Sequence, residues 1–358
     1  MKYQVFHVTG GVRNTMSGVQ SFIKNHIQED DSEFNYIVGE SNGEPYFPFN
    51  QYLDEKQIKR IVFPELKITK MFQYARECKK FYENNSIDIL HVHNPITAFI
   101  HNYYARTNGV PVRIYHNHSS QFSDHWLKSI RNRFLVFLAL KNATHRISCG
   151  QLAGTKIFGN QSFQIIPNAI QIEKFKFSSD YRNEIREEFR IPNNQKVVGM
   201  VGILNPFKNQ KFLIEIAKDL PQVTFLFVGE GPDRLMLEEQ SKELENVIFT
   251  GRRNDVHKFY SAFDVFAFPS LYEGFPMVLV EAQCSGVNII MNETIDSTTQ
   301  LNQNLCTALP LKKDKWMNYI EKSPIIDQNR FLEEALKPFN IDENREFLKV
   351  IYKQGLEK

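Results

Sequence analysis

Strand-forming and helical segments alternate along almost the whole chain, and this alternation restricts the fold more than any other feature. One series of predicted strands runs from Tyr3 to Ile166, and a second runs from Val197 to Met291. The strands are almost continuously apolar, which is typical of parallel sheets covered by helices on both faces. Two such series predict an α/β protein made of two doubly wound domains.

The boundary between these domains is predicted where the strand pattern lapses, between Asn168 and Asn194. A chain of 358 residues accommodates two domains of about 150 residues each. We therefore expect an N-terminal domain over residues 1–170 and a C-terminal domain over residues 171–340. Residues 341–358 have a separate helical pattern.

Composition argues against several classes of protein. The 43 Lys and Arg residues against 41 Asp and Glu leave a net charge of +2, too balanced for a dedicated nucleic-acid binder. The four cysteines form no C-x-x-C pair, which favours buried thiols in a reducing compartment. No apolar run reaches the roughly 18 residues of a membrane span, and the first residues lack the apolar core of a signal peptide. We expect a cytoplasmic protein.

Two glutamates flank a predicted strand-to-helix turn in the segment Ser270–Ala282, where Pro276 suits the first helical position. The N-terminal end of a helix offers unpaired N–H groups and partial positive charge, which favours a diphosphate. Glu273 precedes that end, and Glu281 follows Pro276 by about 7–8 Å along the axis. The alternative is a pair of solvated glutamates, but the apolar residues around Glu281 make an unpaired carboxylate costly there.

Lys208 follows an apolar strand and precedes a helix predicted to begin near Asn209. A cation at this end of a helix opposes the helix dipole, so it is unfavourable for stability alone. It becomes favourable when an anion binds beside it. Lys208 is therefore either an anion ligand or an ordinary solvated lysine.

These segments resemble glycosyltransferase family 4, whose retaining enzymes have the two-domain GT-B fold. Glu273 and Glu281 match the E-x7-E motif of that family, and Lys208 matches its lysine on the donor diphosphate. The resemblance covers nearly the whole chain and includes, in order, the segments Ser17-Gly18-Val19, VRIYHNHSS, NATHRISCGQLAGTKIFG, IIPNAI, LFVGEGPDR and FTGRRNDV. The most similar members are bacterial enzymes that assemble capsule and exopolysaccharide repeat units.

The resemblance implies two Rossmann-like domains facing a central cleft, with the C-terminal helix returning to the N-terminal domain. It places a nucleotide-sugar donor, with UDP as the expected nucleotide, on the C-terminal domain and a lipid-linked saccharide acceptor on the N-terminal domain. It assigns Glu273 to sugar hydroxyls and Glu281 to the ribose, with Lys208 stabilising charge on the leaving diphosphate. The donor-binding residues that it implies are Gly18, Lys208, Arg252, Glu273, Phe275, Pro276, Met277, Val278 and Glu281.

Three positions depart from the family pattern. Ser17 replaces the first glycine of a Gly-Gly pair, and Gln20 replaces a glutamate. Ile203 stands where many members have an arginine beside the donor diphosphate. The donor phosphates would then have one charge-assisted contact fewer.

Histidines occur in two H-x-H pairs at predicted strand ends, His91/His93 and His116/His118. Alternate strand residues share a face, so each pair could hold a metal. No third ligand lies nearby in the sequence and no D-x-D motif occurs, so we expect no metal cofactor. The resemblance places a histidine of the second pair near the donor sugar. Both His116 and His118 are catalytic candidates, with His116 favoured, and the alternative is a pair of hydrogen-bonded histidines at the cleft edge.

Basic residues are concentrated in the first half of the chain, over Lys56–Lys80 and Arg113–Arg146. The second stretch interleaves Lys128, Arg131 and Arg133 with apolar and aromatic residues, as in helices that lie on an anionic bilayer. An ordinary amphipathic core helix is the alternative. No nucleic-acid-binding motif accompanies the charge.

The sequence thus predicts a retaining, metal-independent glycosyltransferase that acts in capsular or exopolysaccharide biosynthesis. It would transfer a hexose or N-acetylhexosamine from a UDP-sugar to a lipid-linked saccharide, peripherally on the inner face of the plasma membrane. Two alternatives stay open. A nucleotide-sugar 2-epimerase of similar fold would convert the donor without any acceptor, and a non-catalytic partner would bind sugar nucleotides without turnover.

Overall fold

Two compact units make up the chain. The computed structural model describes residues 2–11, 17–41, 47–119, 122, 126–273, 275–295, 300–325 and 336–357. Unit 1 comprises Met1–Ala169 together with Ile341–Lys358, and unit 2 comprises Ile170–Asn340.

The described part of unit 1 contains a seven-stranded parallel sheet in the order β3-β2-β1-β4-β5-β6-β7. Its strands are β1 (Tyr3–Gly11), β2 (Phe34–Ser41), β3 (Lys59–Phe63), β4 (Ile89–Val92), β5 (Val112–Asn117), β6 (His145–Ser148) and β7 (Gln164–Ile165). Side chains alternate between two buried layers, because successive strand residues point to opposite faces. Leu90 packs in one layer and Ile89 in the other.

The helices of unit 1 cover both faces of this sheet. They are α1 (Gly18–His26), α2 (Pro48–Glu55), α3 (Met71–Asn84), α4 (Pro95–Thr107), α5 (Trp126–Asn142), α6 (Gln151–Phe158) and, after unit 2, α14 (Ile341–Leu356), with a 3₁₀ helix at Ile68–Lys70. In α14, Leu348, Ile351 and Tyr352 are buried in the same layer as Ile89. Helix α14 is therefore part of the core of unit 1.

The described part of unit 2 contains a six-stranded parallel sheet in the order β10-β9-β8-β11-β12-β13. Its strands are β8 (Lys196–Val201), β9 (Val223–Val228), β10 (Val247–Gly251), β11 (Val265–Phe268), β12 (Asn288–Asn292) and β13 (Cys306–Leu309). The sheet again separates two buried layers. The two sheets and their flanking helices confirm the predicted α/β class.

The helices of unit 2 are α7 (Ile172–Phe175), α8 (Ser179–Glu188), α9 (Gln210–Ala217), α10 (Arg234–Gln240), α11 (Val256–Ala262), α12 (Met277–Ser285) and α13 (Lys313–Lys322), with a 3₁₀ helix at Lys337–Phe339. One buried charge cluster anchors α8 to the sheet. The carboxylate of Asp264 accepts hydrogen bonds of 2.9 Å from Arg182 and 2.9 Å from Arg186, and one of 2.8 Å from the backbone N–H of Val197. Asp264 is fully buried, so these donors replace the water that its charge would otherwise need.

Candidate active site

The strand order of unit 2 reverses between β8 and β11, so the chain leaves these neighbouring strands in opposite directions. In open α/β sheets, ligands bind at the carboxyl ends of the strands where such a reversal occurs. Lys208 follows β8 and Glu273 follows β11. The fold therefore brings together two residues that the sequence separates by a whole series of strands and helices.

Lys208 and Glu273 form an ion pair at this edge of the sheet. The Nζ atom of Lys208 lies 2.6 Å from Oε1 of Glu273, and the two side chains are 18% and 16% exposed. The same Nζ atom lies 5.2 Å from the centre of the Phe268 ring, the last residue of β11. The ammonium group is thus held at the strand end while still reaching solvent, as an anion ligand must.

Two hydrogen bonds connect the loop that carries Lys208 with the loop that carries Glu273. The N–H of Leu271 donates to the carbonyl of Phe207 over 2.8 Å, and the Asn209 amide donates to the carbonyl of Pro269 over 3.3 Å. Asn209 adopts the left-handed conformation just before α9, which asparagine tolerates better than most residues. These contacts fix the direction in which Lys208 leaves the backbone.

Two glycines let the loop after β9 approach the loop after β8. A Cβ atom on Gly229 would lie 2.0 Å from the carbonyl oxygen of Gly202, and one on Gly231 would lie 2.2 Å from that of Leu204. Any side chain at either position would displace backbone. The segment LFVGEGPDR therefore packs directly against the backbone of the loop that leads from β8 to Lys208.

Glu281 lies in α12, where the hydroxyl of Tyr260 donates to its Oε2 atom over 2.6 Å. Burial raises the pKa of Glu281, and the Tyr260 hydrogen bond opposes that rise. The carboxylate is therefore partly paired within the protein and keeps acceptor capacity for a ligand hydroxyl. Tyr260 was not predicted from the sequence, because only the packing of α11 on α12 brings it to Glu281.

The start of α12 lies at the place where the sequence predicts an anion site. Pro276 is the N-cap residue and not the first helical residue as predicted, so the helix begins one residue later, at Met277, followed by Val278. Phe275 stacks on Phe339 with ring centres 5.6 Å apart, which fixes the backbone entering the helix. The N–H groups of the first helical turn are thus held in place for an anion.

Arg252 follows β10 at the same edge of the sheet and its side chain is exposed. Strand β9 separates β10 from β8. With neighbouring strands about 4.8 Å apart, Arg252 starts roughly 10 Å from the strand that precedes Lys208. The structure brings Arg252 to the site edge but not into the Lys208–Glu273 pair.

Gly18 begins α1 in unit 1, and two of the departures from the family pattern explain its setting. The Ser17 hydroxyl accepts a hydrogen bond of 3.3 Å from the N–H of Gln20, and the Gln20 side chain accepts one of 2.7 Å from the N–H of Ser17. This reciprocal arrangement is a capping box. The substituted residues therefore stabilise the start of the helix that carries Gly18.

Five histidines gather on one face of the unit 1 sheet, below α1 and α14. The Nδ1 atom of His7 lies 3.1 Å from Nε2 of His93, whose Nδ1 lies 2.9 Å from Nε2 of His118. A separate hydrogen-bonded pair is formed by His91, whose Nε2 atom lies 3.2 Å from Nδ1 of His116. His116 is fully buried and its Nε2 atom has no hydrogen-bond partner among the described residues, whereas His118 is partly exposed.

The ring nitrogens of His93, His116 and His118 lie within 4.8 Å of one another, close enough for a metal ion. The rings of His116 and His118, however, stack at 4.0 Å between centres, so their lone pairs run side by side instead of converging. His93 and His118 also already share a hydrogen bond. Burial lowers the pKa of His118 to about 3 and that of His7 to about 3. The geometry therefore favours a hydrogen-bonded network of neutral imidazoles.

Known families match both units of the chain. Residues 181–324 match the family described as glycosyl transferases group 1, and residues 49–149 match the family described as glycosyl transferase 4-like. The crystal structure of Anabaena Alr3699/HepE in complex with UDP and glucose has the same fold, with a TM-score of 0.76 and 20% identity. That match covers 98% of this chain and 99% of the other. The two family matches and the fold define a glycosyltransferase of the GT-B class.

Curated relatives narrow this assignment. EpsF of Bacillus subtilis (strain 168), named as a glycosyltransferase, is 31% identical over 278 residues, which cover 73% of this chain and 72% of EpsF. The Escherichia coli UDP-Gal:alpha-D-GlcNAc-diphosphoundecaprenol alpha-1,3-galactosyltransferase is 27% identical over 317 residues, which cover 81% of this chain and 79% of that enzyme. The chain belongs to glycosyltransferase family 4, among the bacterial enzymes of polysaccharide biosynthesis.

Proposed function

We propose that this glycosyltransferase transfers a hexose or N-acetylhexosamine from a UDP-sugar to a lipid-linked saccharide, with retention of configuration at the anomeric carbon. The observation that carries the proposal is the contact between Lys208 and Glu273 at the reversal point of the unit 2 sheet. It joins a cation for the leaving diphosphate to a carboxylate for sugar hydroxyls. Glu281 extends the same site toward a ribose.

Departure of the leaving group contributes most of the activation free energy, because negative charge builds on the diphosphate as the bond between the sugar and the diphosphate breaks. We assign the stabilisation of that charge to Lys208 and to the positive end of α12. Glu273 holds the Lys208 ammonium in place before the donor arrives. We propose that no metal ion is needed on the diphosphate, since these groups provide the positive charge.

The remaining predicted residues take supporting roles in this proposal. The backbone from Phe275 to Val278 presents N–H groups to the diphosphate, and Glu281 accepts from the ribose beside Tyr260. In unit 1, the family resemblance assigns Gly18 to donor binding and His116 or His118 to catalysis. The Nε2 atom of His116 has no hydrogen-bond partner among the described residues. Arg252 contributes long-range attraction for the anionic donor.

The relatives support this choice of substrates. The printed name of the E. coli relative gives UDP-Gal as donor and a diphosphoundecaprenol-linked GlcNAc as acceptor. HepE was crystallised with UDP and glucose. By analogy, we propose a role in capsule or exopolysaccharide assembly, on the cytoplasmic side of the membrane that carries the acceptor.

A thermal-shift screen against UDP, GDP and ADP and their sugar derivatives tests the donor assignment. A single-site ligand at a hundredfold excess over its dissociation constant stabilises by about 2.7 kcal/mol. We expect UDP and one UDP-sugar to raise the melting temperature. Preference for GDP or ADP would contradict the proposed donor.

Incubation with the UDP-sugar and no acceptor then separates the reactions. A transferase leaves the sugar on its nucleotide apart from slow hydrolysis, whereas a 2-epimerase produces the isomeric UDP-sugar. Binding without turnover across a panel of lipid-linked acceptors would indicate the non-catalytic partner instead. Product analysis by NMR of the anomeric proton reports whether configuration is retained.

A further inference from the structure

Tyr260 of α11 places its hydroxyl against the carboxylate of Glu281 in α12. The hydroxyl donates to the Oε2 atom over 2.6 Å. A separation of about 2.5–2.7 Å is typical of a hydroxyl that donates to an ionised carboxylate, and such hydrogen bonds are roughly twice as strong as neutral ones. Tyr260 is only 1% exposed, so its hydroxyl is shielded from water. The contact is therefore a strong link between two helices of unit 2.

The two carboxylate oxygens of Glu281 have different surroundings. Oε2 accepts from Tyr260, whereas no other described residue donates a hydrogen bond to this carboxylate. Glu281 is partly exposed, although Tyr260 is buried. One oxygen is thus engaged inside the protein, and Oε1 keeps its capacity to accept hydrogen bonds from a ligand.

Aromatic packing holds the Tyr260 ring in one position. Its centre lies 5.5 Å from that of Phe266 in β11, 5.9 Å from that of Phe263 and 5.8 Å from that of Phe175 in α7. A buried ring surrounded by three others cannot change rotamer without opening the core. The packing of unit 2 therefore sets the direction of the hydroxyl, and with it the position of Oε2 of Glu281.

Burial and charge keep this hydrogen bond in one direction. Burial raises the pKa of Tyr260 well above its ordinary value, and the negative charge of Glu281 raises it further, so the hydroxyl keeps its proton. Burial also raises the pKa of Glu281, and the hydrogen bond from Tyr260 opposes this rise. Tyr260 thus favours the ionised carboxylate, which is the stronger acceptor.

Further titratable groups lie near Glu281, but none of those described replaces Tyr260 as its donor. Cys284, one turn further along α12, is buried, and its pKa is raised by burial and by the charge of Glu281. It is therefore a neutral thiol. Glu173 of α7 and Lys176, which follows that helix, also act on this thiol, but they form an ion pair with each other at 2.6 Å. Tyr260 is left as the described side chain that orients Glu281.

We propose that Tyr260 is a positioning residue for the donor: it holds Oε2 of Glu281 in place so that Oε1 accepts from the ribose hydroxyls. This inference rests on the proposed function, which assigns Glu281 to the ribose. A ribose presents two neighbouring hydroxyls, and a carboxylate that is already oriented accepts from them without a further loss of side-chain freedom. Tyr260 is buried and acts through Glu281 alone.

Calorimetric titration of free UDP into the full chain tests the inference, because UDP contains the ribose and lacks the transferred sugar. Tyr260→Phe keeps the buried ring and removes only the hydroxyl. We expect the dissociation constant of UDP at neutral pH to rise by about tenfold, as for the loss of a hydrogen bond to a charged group.

The dependence of this loss on pH separates positioning from a general structural effect. The Tyr260 hydrogen bond lowers the pKa of Glu281, so without it the carboxyl keeps its proton to a higher pH. The fall of UDP affinity on the acid side should therefore move to higher pH in Tyr260→Phe, and part of the lost affinity should return in mildly alkaline solution. Dividing the dissociation constants of variant and wild type at each pH removes the titration of UDP itself.

Tyr319→Phe is the matched control, because it removes a partly buried hydroxyl elsewhere in unit 2. That hydroxyl donates to the carbonyl of Ile289 over 3.2 Å, and the variant should bind UDP like the wild type at every pH. A second control repeats Tyr260→Phe in a Glu281→Ala protein. There the change should alter UDP affinity by less than about twofold, since the two residues act as one unit.

Three results would contradict these assignments. Wild-type UDP affinity in Tyr260→Phe, with a clear loss in Glu281→Ala, would overturn the inference and leave the ribose assignment intact. An equal loss from Tyr260→Phe at every pH, undiminished in the Glu281→Ala protein, would also overturn it, because the effect would then be one of packing. Unchanged UDP affinity in Glu281→Ala would instead contradict the proposed function, and the inference that rests on it would fall with it.

Discussion

The hydroxyl of Tyr352 lies 2.7 Å from Nδ1 of His91, which joins α14 to the histidine network of the sheet. The other nitrogen of His91 contacts His116, so the three side chains form one hydrogen-bonded chain. When the tyrosine donates, His91 donates in turn to His116, and the proton of His116 is left on its unpaired Nε2 atom. Tyr352 thereby sets the proton position of His116, the histidine that the family resemblance favours as a catalytic candidate.

Tyr352→Phe tests this relationship. Removing the hydroxyl frees the tautomer of His116, so we expect a lower kcat, by up to about tenfold, with unchanged affinity for free UDP. Steady-state kinetics and UDP thermal shifts measure the two quantities. Tyr74→Phe is the matched control, because Tyr74 contacts another buried histidine, His101, over 3.0 Å. An equal loss of kcat in both variants would show that the loss comes from reduced stability of unit 1 and not from the tautomer of His116.

Lys208→Ala should lower kcat by about a hundredfold or more, because it removes a cation from the developing charge of the leaving diphosphate. The fold should persist, since the side chain lies at the solvent-accessible strand end. Lys211→Ala, a change of the exposed second residue of α9, is the control and should leave the kinetics unchanged. Wild-type turnover in Lys208→Ala would remove this lysine from the site.

The two glutamates should separate when tested with free UDP. Glu281→Gln should weaken the binding of UDP and UDP-sugar alike, by the roughly 1.5–3 kcal/mol of a charged hydrogen bond. Glu273→Gln should mainly lower turnover and blur discrimination between donor sugars, because UDP lacks the sugar. Calorimetric titration of both ligands measures this. The reverse pattern would mean that the donor lies in the opposite orientation.

The raised pKa of Glu281 predicts opposite pH trends for binding and stability. As pH falls through that raised pKa, the carboxylate gains a proton and loses its strength as an acceptor, so UDP affinity should fall. The stability of the free protein should change the other way, because protonation favours the buried group, and stability is lost as pH rises through the same pKa. Comparing the pH dependence of UDP affinity and of stability in the wild type and in Glu281→Gln removes the contribution of UDP's own titration. Identical pH profiles of the two proteins would contradict the assigned role of Glu281.

Asp264→Ala should destabilise unit 2 by about 3–5 kcal/mol, because it leaves two buried arginines without their carboxylate. Urea unfolding measures the change. Asp255→Ala is the control, since its partner Arg253 is partly exposed and also contacts Glu188. Exposed ion pairs contribute only about 0–1 kcal/mol. Similar losses in both variants would contradict the assigned role of the buried cluster.

Local patterns in the sequence were sufficient for most of the fold. The apolar pattern of residues 71–84 predicts a helix, which is observed as α3, and the apolar run of residues 224–228 predicts a strand, which lies within β9. Strand β3 was missed, because it is a five-residue edge strand that begins with Lys59 and Arg60. An edge strand with exposed charges has no continuous apolar signal.

The candidate site was only partly predictable, for a related reason. Lys208 and Glu273 each follow a strand, so each has a local signature. Tyr260 and Tyr352 act through contacts between elements far apart in the chain, which no local pattern reveals. The sequence indicates a basic and aromatic helix over Arg113–Arg146, but only the packing of the core shows that Val136 and Ala139 are buried while Phe134 and Phe137 remain exposed.

Helix α14 gives the chain an unusual order of assembly during translation. Its residues are synthesised after all of unit 2, yet they fill the core of the unit whose strands emerge first. The N-terminal segment must therefore wait, with an apolar groove uncovered, while the intervening unit folds on its own. A chain that stops after Asn340 should consequently fail to fold unit 1, although the strands of that unit are synthesised first. A chaperone that shields this groove would protect the nascent chain.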